Sequence, residues 1–233
     1  MAPSIVFDFD GTLATGHGPV REYARIVAPL TDAGFADRVE TELEQFDAGL
    51  SSYRDGYDIV GSLARASGIT VAETQTAYDG SREALGTQRA PVSTMPDLAG
   101  FLAGLAQSAT LVLATNAPNV GVDRVLDSWG VREYFTELHF VVGKPAGLIH
   151  LVSRLRESGP VLAIGDIAEF DLAPASELGA DTALVGATAP HSPASVTMRG
   201  ASLADIRPEI EAWAATAASS TRESLDSETA IER

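Results

Sequence analysis

The chain contains no cysteine and a single lysine. Without cysteine there can be no disulfide, no thiolate nucleophile and no sulfur-ligated metal. That composition agrees with a reducing compartment, and a cytoplasmic protein is the expectation. Long apolar runs are also missing, and none approaches the roughly 18 residues that a membrane-spanning helix needs. The N-terminus has no basic segment before acidic residues begin at Asp8, so no secretory signal is expected. Positive charge is scarce, with 16 basic residues against 32 acidic ones and a net charge of −16. Such a surface repels nucleic acid and anionic membranes, and neither is expected as a partner. It would repel a small anion too, unless a metal ion or a local cation reversed the field. Fifteen of the basic residues are arginine, which singles out the one lysine, Lys144.

What is present is 233 residues of which 45% are hydrophobic, enough for one large domain or two small ones. Short, almost wholly apolar runs recur: SIVFDFD (4–10), TLVLATN (110–116), LHFVV (138–142), VLAIGD (161–166) and TALVG (182–186). Helix-like stretches at 120–129, 145–158 and 169–179 separate the later runs. Apolar strands alternating with helices predict a parallel sheet covered on both faces, with ligands bound at the carboxyl ends of its strands. About 100 residues separate the first run from the second, far more than a crossover of a dozen or so requires. The stretch 18–90 has no convincing strand and reads as amphipathic helices near 19–30, 34–49, 55–67 and 71–86. An inserted helical domain is therefore expected, joined through Gly- and Pro-containing connections near 13–18 and 87–94. The expected organisation is a core of 1–16 plus 92–215, a helical domain of 17–91 and a polar tail of 216–233. There are no internal repeats.

The chemistry gathers at the ends of those runs. Asp8 and Asp10 stand one residue apart where the first strand should close, with Gly11 and Thr12 following. Strand alternation puts both carboxylates on one side, about 6–7 Å apart along the backbone. The alternative is a turn whose positive φ is supplied by Gly11. Thr115 and Asn116 end the second run; they can donate hydrogen bonds to an anion or cap a helix. Lys144 follows the third run between Gly143 and Pro145. Asp166 closes the fourth, and Asp171, five residues on, lies in the loop or first helical turn, where acidic residues are favoured anyway. Several carboxylates on one rim of one sheet cannot all stay ionised without a cation. An all-oxygen cluster suits Mg²⁺. With a lysine and hydrogen-bond donors added, this is equipment for holding a phosphoryl group.

In this order, the motifs DFDGT, LATN, GKP and GDIAEFD make the chain similar to the haloacid dehalogenase superfamily, and specifically to its phosphatases. The resemblance covers about 4–16 and 95–187. It implies an α/β fold, a Rossmann-like three-layer parallel-sheet core with an inserted α-helical cap domain that closes over the site. It also implies a Mg²⁺-dependent phosphatase acting on a small phosphorylated metabolite. Asp8 would be the nucleophile that forms an aspartyl-phosphate, and Asp10 the acid and base, its backbone carbonyl also binding the metal. Thr115 and the Asn116 backbone would bind phosphate oxygens. Lys144 would neutralise Asp8 and the phosphoryl group, Asp166 would ligate Mg²⁺, and Asp171 would assist. Dehalogenases of the superfamily lack an acid at the position of Asp10. The phosphonate-cleaving relatives use a cap lysine, and 18–90 has none. Sugar phosphomutases share all four motifs and are the alternative; a non-catalytic binding protein would have no need of Asp10.

Within the insert, His17, Tyr53, Arg54 and Tyr57 are the specificity candidates, Arg54 because its fork suits a second anionic group. Packing between helices and solvation are the plainer readings of these residues. His139, His150 and His191 lack ligand-like spacing. The motifs contact only the phosphoryl group, so the alcohol it is attached to is not legible. Monomer or homodimer is the expectation for assembly.

Overall fold

The computed structural model describes the backbone of residues 2–231 and the side chains of residues 2–219. A six-stranded, all-parallel sheet is built from β1 (Ser4–Phe7), β2 (Thr110–Ala114), β3 (Glu137–His139), β4 (Val161–Gly165), β5 (Asp181–Leu184) and β6 (Met198–Arg199). Its order is β3-β2-β1-β4-β5-β6, the Rossmann-like arrangement expected, with Ser4 level with Thr110 on one side and Val161 on the other. The chain runs outward from β1 to β3 and then crosses back to β4. The reversal of strand order therefore falls beside β1, where open sheets of this kind bind ligands. Four strands lie where the apolar runs predict, and β3 meets only the start of the run 138–142, whose last three residues are not strand. The two-residue β6 has no apolar pattern to betray it.

The compact unit holding the sheet comprises Met1–Leu13, Met95–Ala117 and Trp129–Arg233. The β1 side chains alternate as a two-faced strand must. Val6 joins a core with Leu148, Leu151, Val152 and Leu155 of α7 (Ala146–Arg156) and Ala175 of α8 (Ala173–Glu177). Phe7 meets Phe135 edge-on at 6.1 Å between ring centroids. Phe9, past the strand end, stacks with Trp129 at 6.5 Å. Two helices in this unit lie outside the stretches read as helical from sequence. They are α5 (Leu98–Leu105), apolar on nearly every side, and α9 (Arg207–Ile231). Arg207 ties them together through Asp97 at 3.1 Å and the Phe101 ring at 5.4 Å. The expected tail at 216–233 enters α9; the side chains beyond 219 and the last two residues lie outside the described residues.

The second compact unit comprises Ala14–Thr94 and Pro118–Ser128. Its helices α1 (Gly18–Val27), α2 (Phe35–Asp47), α3 (Gly56–Ala66) and α4 (Val71–Ala84) fall where the amphipathic stretches predict. Their starts are written locally. Pro19 opens α1, the Asp55 carboxylate accepts the Asp58 N–H at 2.7 Å at the start of α3, and Thr70 and Glu73 form a reciprocal cap on α4. Val20, Tyr23, Val27, Phe35, Val39, Leu43, Ile59 and Val60 form its core. The two connecting stretches pair with each other, Thr15 N–H to Ser93 O at 2.8 Å and Ser93 N–H to Thr15 O at 3.0 Å. The segment carrying α6 (Val122–Ser128) packs on the end of α4, where the Arg124 guanidinium donates to Leu85 O at 2.7 Å. Among the described residues no helix is long and apolar enough to cross a membrane.

Candidate active site

Asp8, Thr115, Asn116, Lys144, Asp166 and Asp171 all follow the carboxyl ends of β1 to β4, and all belong to the sheet-bearing unit. β1 lies between β2 and β4, so Asp8 emerges with the tips of both neighbours beside it. Its N–H still donates to Ile164 O at 2.9 Å, extending the ladder one residue past the strand. Burial then does the selecting, because carboxylates and ammonium groups are almost never buried without a partner.

Lys144 Nζ donates to Asp8 Oδ1 at 2.7 Å and to Asp171 Oδ1 at 2.6 Å, and all three residues are buried. Asp171 is held in turn by the Ile167 N–H, which donates to its Oδ2 at 3.0 Å. Instead of one helix over 169–179, the chain makes a π-helical turn at Ala168–Leu172 before α8. That wider turn contains Asp171. Burial pushes the Asp8 carboxyl up to about 7; Lys144 pulls against this, and the Asp171 and Asp10 charges add to it. For Lys144, burial acts downward, but the Asp8 and Asp171 carboxylates outweigh it and hold the ammonium above the ordinary lysine value.

Asp166 completes a group of three. Oxygens of Asp8, Asp166 and Asp171 all lie within 4.8 Å of one another. One ammonium cannot balance three gathered carboxylates, and a divalent ion would bring the set to neutrality. The donors are all hard oxygens, which fits Mg²⁺. Asp10, expected as a ligand through its backbone carbonyl, adds no side-chain oxygen to this group and is only partly buried.

Glycines make room for the cluster: Gly11 and Gly165 stand within the motifs DFDGT and GDIAEFD, and Gly186 lies outside them. A Cβ on Gly11, which sits at φ +82°, would fall 2.1 Å from Asp166 Oδ2. One on Gly165 would fall 2.3 Å from the Asp171 Cβ, and one on Gly186 would press on the Asp166 Cβ at 3.3 Å. A glycine directly before a strand-end aspartate was the available signal for Gly165.

The buried Thr115 hydroxyl accepts the Ala117 N–H at 3.0 Å, a local side-chain turn; the next helix starts only at Val122, so Thr115 does not cap it. The Asn116 side chain is directed at the Lys144 backbone, with Oδ1 accepting its N–H at 2.7 Å. The specificity candidates lie in the helical unit. His17 bonds Asp47 at 2.9 Å, Arg54 reaches Asp58 at 3.3 Å, Tyr53 packs on the helical core, and the Tyr57 hydroxyl accepts from Arg82 at 2.9 Å.

Residues 3–179 match the haloacid dehalogenase-like hydrolase family. No curated protein shows a significant match to the chain. Among solved structures, the chain is similar to CbbY from Rhodobacter sphaeroides in complex with phosphate, at 19% identity and a TM-score of 0.61, covering 88% of this chain and 96% of that one. It is similar to the HAD-hydrolase YfnB from Bacillus subtilis bound to magnesium, at 17% identity and a TM-score of 0.59 with the same coverage of 88% and 96%. A 2-haloacid dehalogenase from Pseudomonas syringae pv. Tomato DC3000 matches at 18% identity and a TM-score of 0.54, covering 91% and 100%. At these identities the likeness is one of fold.

Proposed function

This chain belongs to the haloacid dehalogenase-like hydrolase family, and on that premise we propose that it is a Mg²⁺-dependent phosphatase hydrolysing a small phosphorylated metabolite. The observation that carries the reading is the Lys144 ammonium shared between Asp8 and Asp171 beside Asp166, on the rim where a ligand would enter. Asp8 is the nucleophile. Its carboxylate forms a bond to phosphorus, the ester P–O bond breaks, and Asp10 gives its proton to the departing alcohol. Asp10 then takes a proton from the water that attacks the aspartyl-phosphate, releasing inorganic phosphate and restoring both aspartates. Lys144 offsets the charge of Asp8 and of the phosphoryl oxygens, while the Thr115 hydroxyl and the Asn116 N–H hold those oxygens. Asp8, Asp166, Asp171 and the Asp10 carbonyl would hold Mg²⁺, which supplies Lewis-acid neutralisation of phosphoryl charge when bound.

Two considerations favour phosphate over halide chemistry. A halide leaves without a proton, whereas an alkoxide needs a donor, and Asp10 supplies one. The similar folds of YfnB and CbbY, solved with magnesium and with phosphate, carry the two ligands this reading needs. The test is phosphate release from p-nitrophenyl phosphate and then from a panel of metabolite phosphates. Release should stop with EDTA, return with Mg²⁺, and be absent in Asp8→Asn that retains the wild-type circular dichroism. Turnover that survives thorough chelation, or substantial activity in Asp8→Asn, would overturn it.

A further inference from the structure

The tip of β2 grips the loop that carries the lysine. Thr115 O accepts the Val142 N–H at 3.1 Å, and Ala117 O accepts the Val141 N–H at 3.1 Å. Between these two backbone contacts, Asn116 brackets Lys144 with its side chain. Oδ1 accepts the Lys144 N–H at 2.7 Å, and Nδ2 donates to the Lys144 carbonyl at 3.4 Å. The loop so held is conformationally expensive. Val141 lies at φ +49° and Gly143 at φ +71°, and a β-branched residue in the left-handed region is an outlier. Val141 is also largely exposed, so its own packing does not compensate. A strained segment persists only where its surroundings over-determine it. Three consecutive residues, 115–117, do that for residues 141–144.

We propose that the Asn116 side chain is a positioning residue that acts through Lys144. It fixes the Lys144 peptide on both sides to the strand next to Asp8, so that a long, rotamer-rich side chain delivers its ammonium between Asp8 and Asp171. This rests on the phosphatase reading for the catalytic use of Lys144, and it assigns the Asn116 amide to the lysine loop, not to the substrate. The phosphatase reading gives only the Asn116 backbone N–H, not its side chain, to a phosphate oxygen.

Lys144 is the only lysine, so labelling with ¹⁵N-lysine gives one backbone amide resonance to follow. In Asn116→Ala that amide should shift and its hydrogen exchange accelerate about tenfold or more, because its acceptor is gone. Asn116→Asp keeps the 2.7 Å acceptor and should retain most of the protection; it also serves if Asn116→Ala does not fold. Turnover of p-nitrophenyl phosphate by Asn116→Ala should fall roughly 10- to 100-fold in kcat with KM changed less than about threefold, as for a displaced catalytic group. In a Lys144→Ala background, rescued with methylammonium, adding Asn116→Ala should change the rate by no more than about twofold. Unchanged Lys144 exchange in Asn116→Ala, loss of protection in Asn116→Asp equal to that in Asn116→Ala, or full multiplication of the two effects in the double variant would each overturn the assignment. If the wild type releases no phosphate from any ester, the phosphatase reading falls, and the exchange comparison still decides whether Asn116 holds the loop.

Discussion

Substituting Gly11 by alanine isolates the coupling between one backbone turn and the carboxylate cluster. Two penalties act there. The φ of +82° costs an L-residue about 1–2 kcal/mol, partly offset by about 0.4–1 kcal/mol from the stiffer unfolded chain. The new Cβ would also stand 2.1 Å from Asp166 Oδ2 and 2.5 Å from its Cγ, so the carboxylate must rotate away. Gly130 separates the two, because it has φ +65° and nothing within 4 Å of its would-be Cβ. Gly130→Ala therefore carries the backbone penalty alone. Disturbing the surroundings that set one metal ligand typically weakens binding about 10- to 100-fold. At a Mg²⁺ concentration 100 times the wild-type Kd, the ion stabilises the wild type by about 2.7 kcal/mol. A 100-fold weaker site at the same concentration retains only about 0.4 kcal/mol. For a chain of this size that is a Mg²⁺-induced rise in Tm of about 5–10 °C in the wild type and in Gly130→Ala, against about 1 °C in Gly11→Ala. Calorimetric melts with and without Mg²⁺ measure it. A full Mg²⁺ shift in Gly11→Ala would refute the claim that Asp166 must occupy the space this glycine leaves open.

Three further outcomes can be measured, two at this site and one in the helical unit. Lys144→Ala removes the ammonium between Asp8 and Asp171, and without divalent ions it should destabilise the protein by about 3–5 kcal/mol at pH 8. The loss should be smaller at pH 6, where Asp8 can take up a proton; urea midpoints that do not differ between the two pH values would contradict the buried pairing. Mg²⁺ binding should release a proton near neutrality, because ligation needs Asp8 ionised and burial has raised it to about 7. The apparent affinity should thus fall up to about tenfold per unit as pH drops below 7, and calorimetric titrations in buffers of different ionisation enthalpy would expose the proton. Finally, Thr70→Ala should lower the stability of the helical unit by about 1 kcal/mol through its cap on Glu73 N–H, readable as faster exchange of the first α4 amides.

Local chemistry determined much of this protein before any tertiary contact is considered. An apolar run broken by Asp8, and another broken by Asp166, place carboxylates at strand ends, because a β-strand cannot carry a charge into a core covered on both faces. The 3.6-residue spacing over 18–90 gave the helices of the insert, and the Asp55 and Thr70 caps marked where two of them begin. The lone lysine stood out by composition alone. What the tertiary structure decided is partner choice among groups far apart in the chain. Asn116 and Lys144 are 28 residues apart and Lys144 and Asp8 are 136, so whether the amide faces a ligand or a lysine peptide depends on which strand tips become neighbours. The same holds for Gly165, whose missing side chain matters only because a π-turn brings Asp171 back over it. It holds too for β6, whose two residues form a strand only because β5 offers them an edge. Sequence periodicity records which side of an element is apolar; it carries no record of which distant polar group will arrive to satisfy the other.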